Sequence, residues 1–170
     1  MERMIRQHVT QVDRLQLPAD QNSVRLAIQW LDAIGEREKW SAELKFSLSI
    51  SVDEVLANIV SYAFIHPSSH NAKQNPDTLI ATPKIVLRCL SRSTHVQIEV
   101  IDNGHPFDPT QTPLPSLATS LEQARVGGHG LRLMRHYLST IAYSRRAGHN
   151  CLRMIARAKK TGPISGTNSD

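Results

Sequence analysis

The stretch "IEVIDNGHPFD", residues Ile98 to Asp108, alternates apolar and polar side chains and then breaks into Asp102-Asn103-Gly104 and Pro106. Period-two alternation is the mark of a strand with one buried face. Ending that strand on a carboxylate beside a glycine does nothing for a core. It suits a ligand: Asp102 can accept two hydrogen bonds, and Gly104 lets another group approach the backbone closely. Taken alone, "DNG" is also an ordinary turn signal.

Working outward, "KIVLRCL" lies just upstream and is joined to "HVQIEVID" through "SRST", which predicts a hairpin. Further towards the N-terminus, "HVTQVDRLQL" predicts a first strand ending at Pro18. Asp20 is placed to cap a helix with Val24, Ala27, Ile28, Leu31 and Ile34 on its apolar side and Gly35 as its stop. A longer helix begins after Trp40, capped by Ser41. Its apolar line is Leu44, Leu48, Val52, Val55, Ile59 and Tyr62, and it stops before Pro67. The polar, Pro-bearing "IHPSSHNAKQNPDTLIATP" predicts an exposed connection.

Downstream, a Pro-rich segment leads to "GGHG", which opens a third helix, "LRLMRHYLST". A second hairpin, "IAYSRR" and "CLRMIARA", turns at "AGHN". Because strands come in hairpins and not in strand–helix–strand units, the pattern predicts an α/β two-layer sandwich. Its sheet is mixed but mostly antiparallel, with about three helices on one face. Residues 1–158 form the one domain, and 159–170 are a disordered tail.

Composition agrees. The chain has 170 residues, 40% hydrophobic and 21% charged, as in a soluble globular domain. No apolar run reaches the roughly 18 residues of a membrane span. The opening residues lack an apolar stretch behind their charges, so no secretory signal is read. Both cysteines, Cys89 and Cys151, fall in predicted strands, which favours a reduced, cytoplasmic setting over a disulfide framework. The formal charge of +5 favours anionic partners. Arg132, Arg135, Arg145 and Arg146 are not accompanied by a recognition motif or a stacking platform, so nucleic acid is not expected. His66 and His70 lie in a polar segment without a third ligand and read as surface residues.

Two further polar clusters stand in this apolar frame. Glu54 and Asn58, in "VDEVLANIVSYAF", are four residues apart and share one helix face. That spacing fits a solvated face. It equally fits a carboxylate base beside an amide oxygen that ligates a hard cation such as Mg²⁺, which keeps waters and is often held by substrate phosphates. The glycines of "GGHGL", Gly127 to Leu131, leave backbone N–H groups at a helix N-terminus free to face an anion. A flexible hinge is the other reading of such a loop.

In order and spacing, the three clusters resemble the N, G1 and G2 boxes of the GHKL (Bergerat-fold) ATP-binding family. They are most similar to the serine-kinase anti-sigma factors of bacterial partner-switching systems. The likeness spans roughly Leu15 to Arg157, through "DEVLANIVSYAF", "IEVIDNGHPFDP" and "RVGGHGLRLMRHYLSTIAYSRRAGHNCLRMIAR". It implies that ATP and Mg²⁺ are bound and that the chain is a protein serine kinase. Glu54 would be the general base and Asn58 the Mg²⁺ ligand. Asp102 would accept from the exocyclic amine of adenine, and Gly104 would leave room for that ring. Gly128 and Gly130 would contact phosphate through their backbone, Pro106, His129 and Leu131 would complete the pocket, and Arg125 would reach the γ-phosphate.

The implied substrate is a serine on a small STAS-type anti-sigma-factor antagonist. A sigma factor or other target would be bound, a PP2C-type phosphatase would act in opposition, and the relatives suggest a homodimer. The alternative is an ATP-binding module that inhibits a partner without kinase activity. The sequence departs from the family at Tyr62 and Phe64, at His129 inside the glycine loop, and at Asn150, where a Thr often assists the adenine site.

Overall fold

The computed structural model describes residues 12–64, 82–111 and 129–158. The elements run β1 (Val12–Leu17), α1 (Asn22–Arg37), α2 (Ala42–Asn58), a π-helical turn (Ile59–Ala63), β2 (Ile85–Ser91) and β3 (His95–Asp102). A 3₁₀ turn (Pro109–Gln111), α3 (His129–Tyr137), β4 (Thr140–Arg146) and β5 (His149–Arg157) follow. The strands form one sheet in the order β1-β2-β3-β5-β4. Each described pairing is antiparallel, as hairpin-connected strands require.

Side-chain parity decides which face of the sheet is covered. On β3, Val96, Ile98, Val100 and Asp102 are buried, while the residues between them are half-buried. Their buried neighbours are Ile85, Leu87 and Cys89 of β2 and Leu152, Met154 and Ala156 of β5. Against this face pack Ala27, Leu31 and Ile34 of α1, Leu44, Leu48, Val52 and Val55 of α2, and Met134 of α3, in one continuous core. The opposite face mixes half-buried apolar residues, Val86, Ile101 and Ile155 among them, with polar ones, Arg88 donating to Glu99 at 3.0 Å across β2 and β3. The result is the expected two-layer sandwich.

Helix α2 lies between α1 and α3. For that reason its flank carries small residues: Ser47 and Ser51 are buried, and their hydroxyls donate to the carbonyls of Glu43 and Ser47 at 2.6 and 2.7 Å. Ser41 is its N-cap, its Oγ accepting from the Leu44 N–H at 3.2 Å, as its sequence position predicts. Asp20 supports the start of α1 by accepting from the Asn22 N–H at 2.7 Å.

Gly35 does not stop α1, which continues to Arg37. The glycine is buried in the last turn, where an added Cβ would lie 3.1 Å from the Trp40 ring and the Lys45 side chain. Its missing side chain makes room for Trp40, which is itself core and whose indole N–H donates to Ser91 Oγ at 3.1 Å. Between β4 and β5 the chain reverses at Ala147 and Gly148, with φ of 47° and 78°. Two successive positive φ values are those of a type I′ turn, whose twist matches the strands.

Candidate functional site

At one end of the sheet, a cavity of about 280 Å³ opens between α2 with its π turn, the ends of β3 and β5, and the first turns of α3. Glu54 and Asn58 border it from α2, Asp102 from β3, and Leu131 from α3, so the three sequence clusters meet here. Val55, Val100, Met134 and Leu152 give it apolar walls, and Pro106, Phe107 and Pro109 close one side.

Asp102 is inside because it continues the buried parity of β3, and it is 4% exposed. Its Oδ1 accepts from the Gly104 N–H and from Asn150 Nδ2, both at 2.8 Å. No buried side-chain nitrogen or oxygen among the described residues lacks a partner. None of the hydrogen bonds between described residues reaches Oδ2, which leaves that oxygen for a ligand in the cavity that Asp102 lines. A buried carboxylate oxygen facing an apolar cavity is an acceptor awaiting a donor.

Sequence reasoning gave Asn150 only as a departure from the family and missed Tyr143 and Arg145 as parts of this site. Asn150 stands opposite Asp102 in the β3–β5 register, and Arg145 stands opposite Asn150 in the β4–β5 register. Asn150 Nδ2 also donates to the His105 carbonyl at 2.9 Å, while its Oδ1 accepts from Tyr143 Oη at 2.8 Å and Arg145 Nη1 at 2.6 Å. The signal was the "AGHN" turn: a two-residue loop fixes the β4–β5 register and thereby the residue facing Asn150.

On α2, Asn58 Nδ2 donates to Glu54 Oε1 at 3.2 Å. The bond fixes the amide, leaving Asn58 Oδ1 and Glu54 Oε2 as the outward oxygens. Both residues are half-buried where they border the cavity.

Immediately beyond, the π turn widens the helix and shifts its phase by one residue. Tyr62, expected on the apolar line, is 69% exposed at the cavity, and Ala63 is buried in its place. The shift brings the Ala63 carbonyl to the His105 N–H at 2.9 Å. It also explains Gly104 differently from the expectation. A Cβ there would come within 2.6 Å of the Ala63 Cβ and carbonyl oxygen, so Gly104 is where the end of the π turn comes against the turn after β3.

The glycine-rich segment leads into a helix as expected, α3 beginning at His129 with Gly130 in its first turn. Leu131 is buried at the cavity wall, and Pro106 lines it. Arg125, Gly128, His66 and His70 lie outside the described residues. Both cysteines are free and in strands. Burial, then the charge of Asp13, pushes the Cys89 thiol up to about 12, and Cys151 is raised mainly by burial.

This arrangement has relatives. Residues 17–156 match the family model of the histidine kinase-like ATPase domain. The chain belongs to that family of ATP-binding domains. It is 38% identical over 151 residues to the serine/threonine-protein kinase BtrW of Bordetella bronchiseptica, covering 88% of this chain and 96% of the relative. Within the family it is therefore a protein serine/threonine kinase. Among solved structures, the RsbU and RsbW domains of Rv1364c from Mycobacterium tuberculosis share the fold, with a TM-score of 0.54 and 16% identity. That match covers 88% of this chain and 32% of the larger one. No helix among the described residues is long and apolar enough to cross a membrane.

Proposed function

We propose that this kinase binds Mg-ATP in the cavity and transfers the γ-phosphoryl group to a serine of a small STAS-type antagonist protein. The carrying observation is that Glu54, Asn58, Asp102 and the start of α3 border one apolar cavity. Adenine would sit between the apolar walls with its 6-amino group donating to Asp102 Oδ2. Its phosphates would run toward α2 and the α3 N-terminus, where backbone N–H groups and the helix dipole favour negative charge. On this reading Gly128, His129, Gly130 and Leu131 would serve the phosphates and Arg125 would reach the γ-phosphate.

Mg²⁺ fits the donor set. Asn58 Oδ1 is freed for a hard cation because its Nδ2 is committed to Glu54, and the remaining ligands would be water and phosphate oxygens. The ion would neutralise the charge that builds on the transferred group. Glu54 would take the proton of the serine hydroxyl as its oxygen bonds to the γ-phosphorus and the bond to the ADP oxygen breaks. The protein then contributes alignment and charge stabilisation more than covalent chemistry. Residues 1–158 form the ATP-binding domain, with 159–170 as a tail. The circuit is cytoplasmic: the unmodified antagonist sequesters the kinase, its phosphorylation frees the kinase to hold a sigma factor or other target, and a PP2C-type phosphatase reverses the mark. The kinase acts as a homodimer.

The test mixes the full chain, the antagonist and γ-labelled ATP, with Glu54→Ala in parallel. The wild type labels the antagonist on serine, and Glu54→Ala lowers the rate by about a hundredfold or more while still binding ATP. Binding without transfer by the wild type, unchanged in Glu54→Ala, would leave only an ATP-holding module.

A further inference from the structure

We infer that the face of the sheet turned away from the helices is a docking surface for an acidic protein, one that sets a line of carboxylates between two apolar ridges. The inference stands apart from the nucleotide cavity, whose strand residues Val100, Asp102 and Leu152 all point to the opposite side of the sheet.

Strand register orders this face into rows that run across the strands. The middle row is Arg14, Arg88, Glu99 and Arg153, on β1, β2, β3 and β5. Glu99 is the one carboxylate of the row and is already engaged, accepting from Arg88 at 3.0 Å and from Gln97 at 3.2 Å. Arg14 and Arg153 are exposed and make no ion pair among the described residues. On one side of the row lie Leu90 and Ile155, on the other Val86 and Ile101, each about 7 Å further along its strand. A solvated sheet face alternates to polar residues on its outer side. Four branched apolar side chains, half-buried at the centre of this one, point to a cover.

Charge decides what the cover is. The row carries three guanidiniums and a single, paired carboxylate, so a partner gains by bringing acids. A second copy is the wrong occupant. Two such faces packed in line about a twofold axis lay the arginine row on itself, like charge against like. Nucleic acid finds no Phe, Tyr or Trp on these rows to stack on. The fit is a protein surface whose carboxylates step across the strands, about 4.8 Å apart, to meet Arg14, Arg88 and Arg153. Apolar side chains on either side of that line cover the two ridges. Held there, on the far side of the sheet from α2, the partner leaves Glu54 and the cavity open, so docking and phosphoryl transfer are compatible. The homodimer of the proposed circuit then uses another surface.

The test puts the photo-crosslinker p-benzoylphenylalanine in place of Gln97, in the middle of the face, and in place of Gln29, exposed on α1, as the control. The full chain is irradiated in its own cells, the adduct is identified, and the partner is purified and titrated against the full chain. The expected adduct forms at position 97 only and is an acidic protein whose affinity falls as salt is raised. Arg14→Glu combined with Arg153→Glu weakens that binding by about tenfold or more, with ATP affinity, phosphoryl transfer and thermal unfolding unchanged. If that double variant does not fold, Arg14→Gln combined with Arg153→Gln decides, with a smaller loss in the same direction. An adduct between two copies of the chain overturns the inference, as does a partner whose affinity ignores the charge change. Binding of the chain to phosphatidylserine vesicles through these arginines overturns it in favour of a membrane. No adduct at position 97 overturns it as well, the arginine stems then covering the ridges themselves.

Discussion

At the scale of single residues, the site depends on a few side chains whose second hydrogen-bonding atom is already spoken for. Asn58 gives its nitrogen to Glu54 and keeps its oxygen. Asn58→Ala is therefore expected to remove the Mg²⁺ dependence of ATP binding, read by titrating ATP with and without the ion. Equal enhancement by Mg²⁺ in variant and wild type would count against the metal role. Gly104 is the tightest position in the described site. Gly104→Ala sets a methyl group within 2.6 Å of Ala63 backbone and side chain and 2.9 Å of Asp102 Oδ1. One of the two segments must move, at about 2 kcal/mol in chemical denaturation, and ATP affinity falls with it. Ala63→Gly restores only part, because the Ala63 carbonyl oxygen remains in the way. The sequence shows that Gly104 permits close approach. It cannot show to what, because the approaching group is 41 positions away and arrives only through the π turn.

At the scale of elements, the π turn does the least legible work. A regular helix continued from Leu44 through Val52 and Ile59 predicts Tyr62 on the core side. The wider turn spends an extra residue and buries Ala63 instead. Nothing in the local pattern announces it, and the bond that goes with it, from the His105 N–H to the Ala63 carbonyl, comes from another part of the chain. The hairpins and the Ser41 cap of α2, by contrast, are set by neighbours in sequence and were read directly, whereas α1 is capped at Gln21 and not at Asp20. Ser41→Ala should cost about 1 kcal/mol of stability through loss of the α2 cap. Ala147→Asn should raise stability by about 1 kcal/mol, because φ of 47° strains alanine and suits asparagine. Urea unfolding checks both, and a stabilising Ser41→Ala or a destabilising Ala147→Asn would contradict these local accounts.

At the scale of the whole molecule, the two hairpins and the layering were legible because parity along β2, β3 and β5 and the helix apolar faces point to the same core, whereas the strand order β1-β2-β3-β5-β4 was not read from the sequence. The same parity could have placed Asp102 and Asn150 on one side of the sheet. It could not have given the amide orientation, which depends on Arg145 and Tyr143 from a third strand. Global stability can be followed through Cys89, fully buried in the sheet with its thiol pushed up to about 12. A raised thiol pKa keeps the group protonated and unreactive at neutral pH. Both thiols are raised, so labelling should be slower at fully buried Cys89 than at half-buried Cys151, the Cys89 rate rising with urea as the fold opens; equal native rates would deny that core. The central claim is that one cavity holds a nucleotide by its base at Asp102 and by its phosphates between Asn58 and α3. A crystal structure with ADP and Mg²⁺ tests it most directly. The account predicts the 6-amino nitrogen within hydrogen-bonding distance of Asp102 Oδ2 and the metal on Asn58 Oδ1. Adenine bound elsewhere, or in the cavity with its amino group turned from Asp102, would contradict it.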